Sequence, residues 1–363
     1  MSAFKPVHSM VLSEPFKMEM REFAYPDIGT DDMVLKVDLV CICGGDPIEY
    51  AGRNVKTHFP LILGHELVGR VDAIGSNASK VYGVVCGDKV TVEPYIICGK
   101  CDYCLTGYYQ LCRNSRAYGV NISSDEPPHI WGAYGEYMYV APGSKVHKIA
   151  PGVKDEAAVL SSVLGNGVRW IRTKARVRFG ETVVVIGAGA QGLATIIAAR
   201  EANAGNIIVV AREKMPLKWQ LAREFGATHL IDFDKDVNPL ECLLEITQGR
   251  LADVVVECTG APNLVEFGLD LIRPAGRFVL VSTNGFSQVP LTTDKIVFKE
   301  IDLYGGLGQS WDTEPAVDII NSQRYPIEKM ITQVFPLEKA DEAMRFFIEN
   351  RDNALRVAIK PQL

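Results

Sequence analysis

The sequence holds no apolar run near the roughly 20 residues that a membrane-spanning helix needs, and no run of basic residues. The first absence argues against a spanning helix. The second, with a mild net charge of -6 spread along the chain, argues against nucleic acid and anionic membranes as partners. Residues 1–15 lack the basic stretch followed by an apolar core that marks a secretory signal, so the expected compartment is the cytoplasm, with reduced cysteines. Internal repeats and low-complexity segments are missing too. What remains is an average soluble composition, 47% hydrophobic and 23% charged, on 363 residues, a length that fits two domains of ordinary size.

Cysteine is scarce, yet four of the nine fall within one short stretch: Cys98, Cys101, Cys104 and Cys112, spaced C-x2-C-x2-C-x7-C. Thiolates are soft ligands, zinc takes four of them in a tetrahedron, and such short loops let one lobe wrap the ion. With every position filled by protein, no place is left for a substrate. This zinc is predicted to be structural, and the chemistry to lie elsewhere.

The first half of the chain is rich in β-formers at residues 34–45, 68–74, 89–97 and 136–140, with Gly, Pro and Asp between them. That pattern predicts an irregular all-β domain. Two short motifs stand out in it, Cys43-Gly-Gly-Asp46 and Gly64-His65-Glu66. A cysteine and a histidine brought together in space make two ligands of an open zinc site. Asp46 is placed to accept a hydrogen bond from the imidazole and fix its tautomer. Glu66 sits behind the metal or reaches it, and Cys41, on the same strand face as Cys43, keeps a third thiolate open.

From residue 181 the pattern changes. A continuous apolar strand at 182–186 runs into Gly187-Ala-Gly189-Ala-Gln191-Gly192 and then a helical stretch at 193–202. This is G-x-G-x-x-G between a strand and a helix, the setting in which a dinucleotide diphosphate meets a helix N-terminus. Further strands at 206–210, 253–257 and 277–282, alternating with helical segments, predict a doubly wound parallel sheet. After the second strand come Ala211, Arg212, Glu213 and Lys214. An acid there binds the ribose hydroxyls of NAD and a base accepts the extra phosphate of NADP. Counted from the glycines the acidic position falls on Ala211 beside Arg212; counted back from Phe225-Gly226 it falls on Glu213. The reading leans to NAD and leaves NADP open.

Together these motifs resemble the zinc-containing medium-chain alcohol dehydrogenases, the superfamily of alcohol, sorbitol and threonine dehydrogenases. The likeness runs nearly end to end. It implies an α/β protein with a chaperonin-10-like β domain at 1–162, completed by 306–363, and a doubly wound Rossmann domain at 163–305, with the active site in the cleft between them. It also implies a homodimer or homotetramer, an alcohol or ketone as substrate, and cofactor contacts from Gly187, Gly189, Gln191, Gly192, Arg212, Glu213, Ser282 and Arg356. By family position alone, Tyr50, Trp131, Asn166 and Leu307 line the substrate pocket.

In the family an open zinc polarises the alcohol oxygen so that hydride can leave for the nicotinamide. Cys43 and His65 carry over as ligands, but the third position falls on Ser162, a poor zinc ligand, and the usual hydroxyl after the Cys-Gly pair is replaced by Gly45. Three readings follow. In the first, zinc is held by Cys43, His65 and Glu66 or Ser162, and the widened pocket favours bulky or cyclic secondary alcohols. In the second, the catalytic zinc is lost and the protein reduces a conjugated alkene or activated carbonyl. In the third, the protein only binds a nucleotide.

Overall fold

The structure, a computed structural model, describes residues 6–213, 215–235, 238–350 and 353–362. Contacts divide the chain into two compact units, residues 1–162 with 317–363, and residues 163–316. Residues 306–316, which the sequence reading groups with the first domain, pack in the second. Their anchor is Asp312, fully buried, which accepts hydrogen bonds from Arg169, Arg172 and Thr173. Since a buried charge must be paired, this knot ties the segment to the helical stretch Arg169–Lys174.

The first unit is built on a seven-stranded sheet. Met33–Cys41 lies at its centre, because its alternating Val and Leu side chains are buried on both faces. It pairs antiparallel with Glu66–Ile74, with Tyr137–Val140 and with the C-terminal strand Arg356–Lys360. That last strand also pairs in parallel with Ile331–Pro336. In the antiparallel register Cys41 faces Glu66. Cys43, two residues past the end of one strand, and His65, one residue before the start of the other, are therefore delivered to the same end of the sheet. A core of Val37, Val40, Leu67, Val71, Tyr134 and Met138 lies beneath.

The second unit is a six-stranded parallel sheet in the order His229–Asp232, Asn206–Ala211, Thr182–Ile186, Ala252–Glu257, Ile272–Leu280, Asp302–Gly305. The central strand Thr182–Ile186 is buried along its whole length. A run of Val and Ile with no polar face is what a strand covered by helices on both sides requires. The strand order reverses beside it, between Thr182–Ile186 and Ala252–Glu257, and doubly wound sheets bind ligands outside the carboxyl ends of strands at that point. The expected α/β class, a β-rich unit and a doubly wound unit, is the one observed. Among the described residues no helix is long and apolar enough to cross a membrane.

Candidate active site and metal centres

The four-cysteine lobe is assembled as its spacing predicts. Cys98, Cys101, Cys104 and Cys112 have all their sulfurs within 4.8 Å of one another, with separations of 3.5 Å for Cys101–Cys104 and 3.9 Å for Cys98–Cys104 and Cys101–Cys112. A tetrahedron of thiolates about 2.3 Å from zinc has edges of about 3.8 Å, so the cluster fits the ion. Backbone N–H groups prepare it. The amides of Arg113 and Cys104 pull the Cys101 thiol down to about 6, and those of Lys100 and Cys101 lower Cys98. Burial instead pushes Cys104 up to about 12, so a cation is needed to hold all four as thiolates.

The second cluster comprises Cys43, Asp46 and His65, again with ligand atoms within 4.8 Å. Asp46 opens the short helix Asp46–Tyr50 and turns its carboxylate back to accept from the Cys43 amide at 2.9 Å and from the Tyr134 hydroxyl at 3.0 Å, both on Oδ2. Its other oxygen, Oδ1, faces His65 Nδ1 at 3.6 Å, and both of those atoms are buried without a hydrogen-bond partner. Orphaned buried polar atoms are rare and costly. A small tightening of the Asp46–His65 contact would satisfy both and turn His65 Nε2 outward as a ligand. Burial pushes the Cys43 thiol up to about 11 and raises the Asp46 carboxyl, the latter against the opposing pull of His65 and the Cys43 amide. A soft divalent cation is the natural counter-charge for such a thiolate, and a Cys/His pair with room for an exogenous ligand is a zinc donor set.

The remaining site residues are placed differently. Glu66 is outside the ligand cluster; its carboxylate is bound by Arg356, and both side chains are buried. Arg356 makes this pair through Nη2, and its Nε is buried without a hydrogen-bond partner. Cys41 is wholly buried and does not join the cluster. Ser162 is buried in the first turn of the helix Ser161–Val168. Gly45 leaves a gap: a Cβ built there would meet only the Cys43 sulfur, at 3.9 Å. Of the four residues assigned to the substrate pocket, Tyr50 donates to Asp341 at 2.7 Å and Trp131 to the Glu126 carbonyl at 2.8 Å. Asn166 carries a buried Oδ1 without a partner, and Leu307 is exposed.

In the second unit the fingerprint glycines each have a visible reason. Gly187 has φ +103 and turns the chain out of its strand. A Cβ on Gly192 would lie 1.9 Å from the Gly187 carbonyl oxygen, so helix and turn touch only through glycine. Gly189, the N-cap of the helix Ala190–Glu201, has nothing within 4 Å of where a Cβ would stand. That open cradle beside free helical N–H groups fits a diphosphate. Gln191, in the first turn, has a buried Oε1 with no partner, and Ser282 lies beside Gly260 at the carboxyl ends of the neighbouring strands. The strand Asn206–Ala211 ends without a carboxylate. Arg212 pairs with Asp234 at 3.4 Å, Glu213 pairs with Lys235 at 3.3 Å, and Asp232 is buried beside the Glu213 amide. Lys214 lies outside the described residues.

Two polar residues at the Cys43, Asp46 and His65 cluster escape the motifs. Glu49, one helical turn after Asp46, is buried, accepts from Asn54 at 2.9 Å, and is raised by that burial. Its i+3 spacing from Asp46 was the available signal. Tyr134 gave none, because it reaches Asp46 from 88 residues away.

Comparison with known proteins gives the same picture. Two family models match, "Alcohol dehydrogenase GroES-like domain" over residues 29–151 and "Zinc-binding dehydrogenase" over residues 190–322. A probable alcohol dehydrogenase of Mycobacterium tuberculosis is 36% identical, over 95% of both chains. An L-threonine 3-dehydrogenase of Pyrococcus horikoshii is 33% identical, over 94% of this chain and 96% of its own. The crystal structure of an alcohol dehydrogenase from Thermotoga maritima superposes with a TM-score of 0.88 at 26% identity, over 99% of this chain and all of that one. The chain belongs to the zinc-type medium-chain alcohol dehydrogenase superfamily, and it is an NAD(P)-dependent alcohol oxidoreductase.

Proposed function

We propose that the protein interconverts a bulky or cyclic secondary alcohol and its ketone with NAD, using a zinc ion bound by Cys43 and His65. The observation that carries this is the Cys43, Asp46 and His65 cluster with its two orphaned buried atoms, a set with no purpose as packing. Zinc held there would supply Lewis-acid polarisation of the alcohol oxygen, and the nicotinamide would accept the hydride. Cys43 contributes a thiolate and His65 a neutral imidazole. Asp46 Oδ1, 3.6 Å from His65 Nδ1, is placed to hold the imidazole proton on that nitrogen, and the same carboxylate ties down the Cys43 backbone. The gap at Gly45 beside the Cys43 sulfur supports room for a branched or cyclic carbon next to the reacting one.

For the cofactor, Gly187, Gly189 and Gly192 cradle the diphosphate at the helix N-terminus. Among the described residues after the strand Asn206–Ala211, Glu213, Asp232 and Asp234 surround Arg212 and Lys235. That excess of acid opposes a doubly charged 2′-phosphate, which supports NAD over NADP. A ratio of kcat/KM for NAD over NADP above one is the expected result.

Metal content per chain, measured for the wild type and Cys43→Ser, tests the centre. Two zincs in the wild type and one in the variant are expected, with turnover of cyclic secondary alcohols lost in the variant. A second reading rests on a specific observation: Glu66 is committed to Arg356 and Ser162 offers no charge, so the donor set is thin. If both proteins hold one zinc, the site is metal-free, and reduction of conjugated alkenes or activated carbonyls becomes the reaction to assay.

A further inference from the structure

We propose that Tyr134 is a positioning residue of the metal centre: its hydroxyl locks the Asp46 carboxylate in the rotamer that orients His65. The inference rests on the reading of Cys43 and His65 as zinc ligands. Tyr134 is fully buried, and its hydroxyl donates to Asp46 Oδ2. That oxygen also accepts from the Cys43 amide, so two donors saturate it and leave Oδ1 alone to face Nδ1 of His65. A carboxylate pinned on one oxygen cannot rotate, and the imidazole beside it has one acceptor in one place.

The backbone of the same segment holds the histidine from the other side. The Tyr134 amide donates to the Leu63 carbonyl at 2.9 Å and the Ala133 amide to the Gly64 carbonyl at 3.0 Å, fixing the two residues that precede His65. The ring lies against Gly64, where a Cβ would come within 2.5 Å of Tyr134 Cδ1. One residue thus sets both the chain that delivers the ligand and the carboxylate that aims it. A phenylalanine would keep the ring packing and the backbone bonds and remove only the lock on Asp46, which makes the hydroxyl separable.

The test is competitive removal of zinc by a chelator of known affinity, with dipicolinate as the probe, from wild type, Tyr134→Phe, Asp46→Asn and the double variant. Melting temperatures and the zinc of the four-cysteine lobe, remote in sequence from the substitutions, serve as internal controls. Second-layer partners of metal ligands change affinity by about 10- to 100-fold. Tyr134→Phe is expected to release the Cys43/His65 zinc at about tenfold lower chelator activity, with the four-cysteine zinc unchanged. The double variant is expected to bind no more weakly than Asp46→Asn alone, because the tyrosine acts through the aspartate. Cobalt substituted at this site is expected to show a shifted visible absorption band in Tyr134→Phe. Unchanged affinity in Tyr134→Phe, or a loss that adds in full to that of Asp46→Asn, overturns the role of the hydroxyl while leaving the metal centre standing. A wild type holding only the four-cysteine zinc overturns the metal centre, and the inference with it.

Discussion

Arg356 Nη2 donates to Glu66 Oε2 across 290 residues of chain, and both side chains are almost wholly enclosed. The pair sits where the strands ending at Cys41, beginning at Glu66 and beginning at Arg356 meet. Removing one partner of a buried ion pair strands the other, at a cost of about 3–5 kcal/mol, whereas replacing both by apolar groups is often neutral. Arg356→Met should therefore lower the unfolding free energy by about that amount, and Arg356→Met with Glu66→Met should recover most of it. Denaturant titration measures both. A single variant as stable as the wild type would show that the two side chains are not held together.

Zinc uptake at Cys43 should depend steeply on pH. The thiolate is the ligand, and burial places the Cys43 thiol at about 11, so below that value binding must displace a proton. Each unit of pH upward raises the thiolate fraction tenfold, hence apparent affinity should rise about tenfold per unit between pH 7 and 10 from this one group. Competition with a chelator whose own pH dependence is known reports the slope. A flat profile across that range contradicts thiolate binding at Cys43.

Two glycines of the fingerprint should behave oppositely when given a methyl group. Gly192→Ala collides with the Gly187 carbonyl and is expected to destabilise the protein by a few kcal/mol, in the range of severe core overpacking. Gly189→Ala meets no protein atom, so the melting temperature should stay put while the cofactor KM rises by tenfold or more, since the methyl occupies the diphosphate cradle. Thermal melts beside cofactor titrations separate the two cases.

Gly45→Ser should fold as well as the wild type, because its φ of -83° is ordinary and its Cβ has open space. Filling that space should cost cyclic secondary alcohols at least tenfold in kcat/KM relative to a short linear secondary alcohol, the order of discrimination a pocket gains from one or two heavy atoms. Equal losses for both substrates would detach Gly45 from substrate shape.

Local chemistry was the legible part. Four cysteines within one lobe, glycines at fixed spacing after an apolar strand, and an aspartate three residues from its cysteine are each fixed by short stretches of backbone, so spacing alone carries them. The β and α/β character followed from runs of Val and Ile in the same way. Contacts across the sheet were not legible. That Glu66 would be claimed by Arg356, and Asp46 by Tyr134, depends on strand register over 290 and 88 residues, and register is written in no single segment. Both hidden partners bear on the chemistry: one removes a carboxylate from the metal, the other fixes the carboxylate that remains.

The C-terminal strand Arg356–Lys360 fills a slot between Met33–Cys41 and Ile331–Pro336, in a unit whose other residues lie mostly before position 163. During synthesis the doubly wound unit, continuous in sequence from 163 to 316, has all its strands available while the first unit still lacks this one. Domains fold as units as the chain emerges, and contacts distant in sequence form late. Arg356, the partner that neutralises Glu66, is thus made only after every strand of the doubly wound unit. A nascent chain stalled before residue 356 would carry a sheet with an open seam beside Cys41 and a buried Glu66 without its counter-charge.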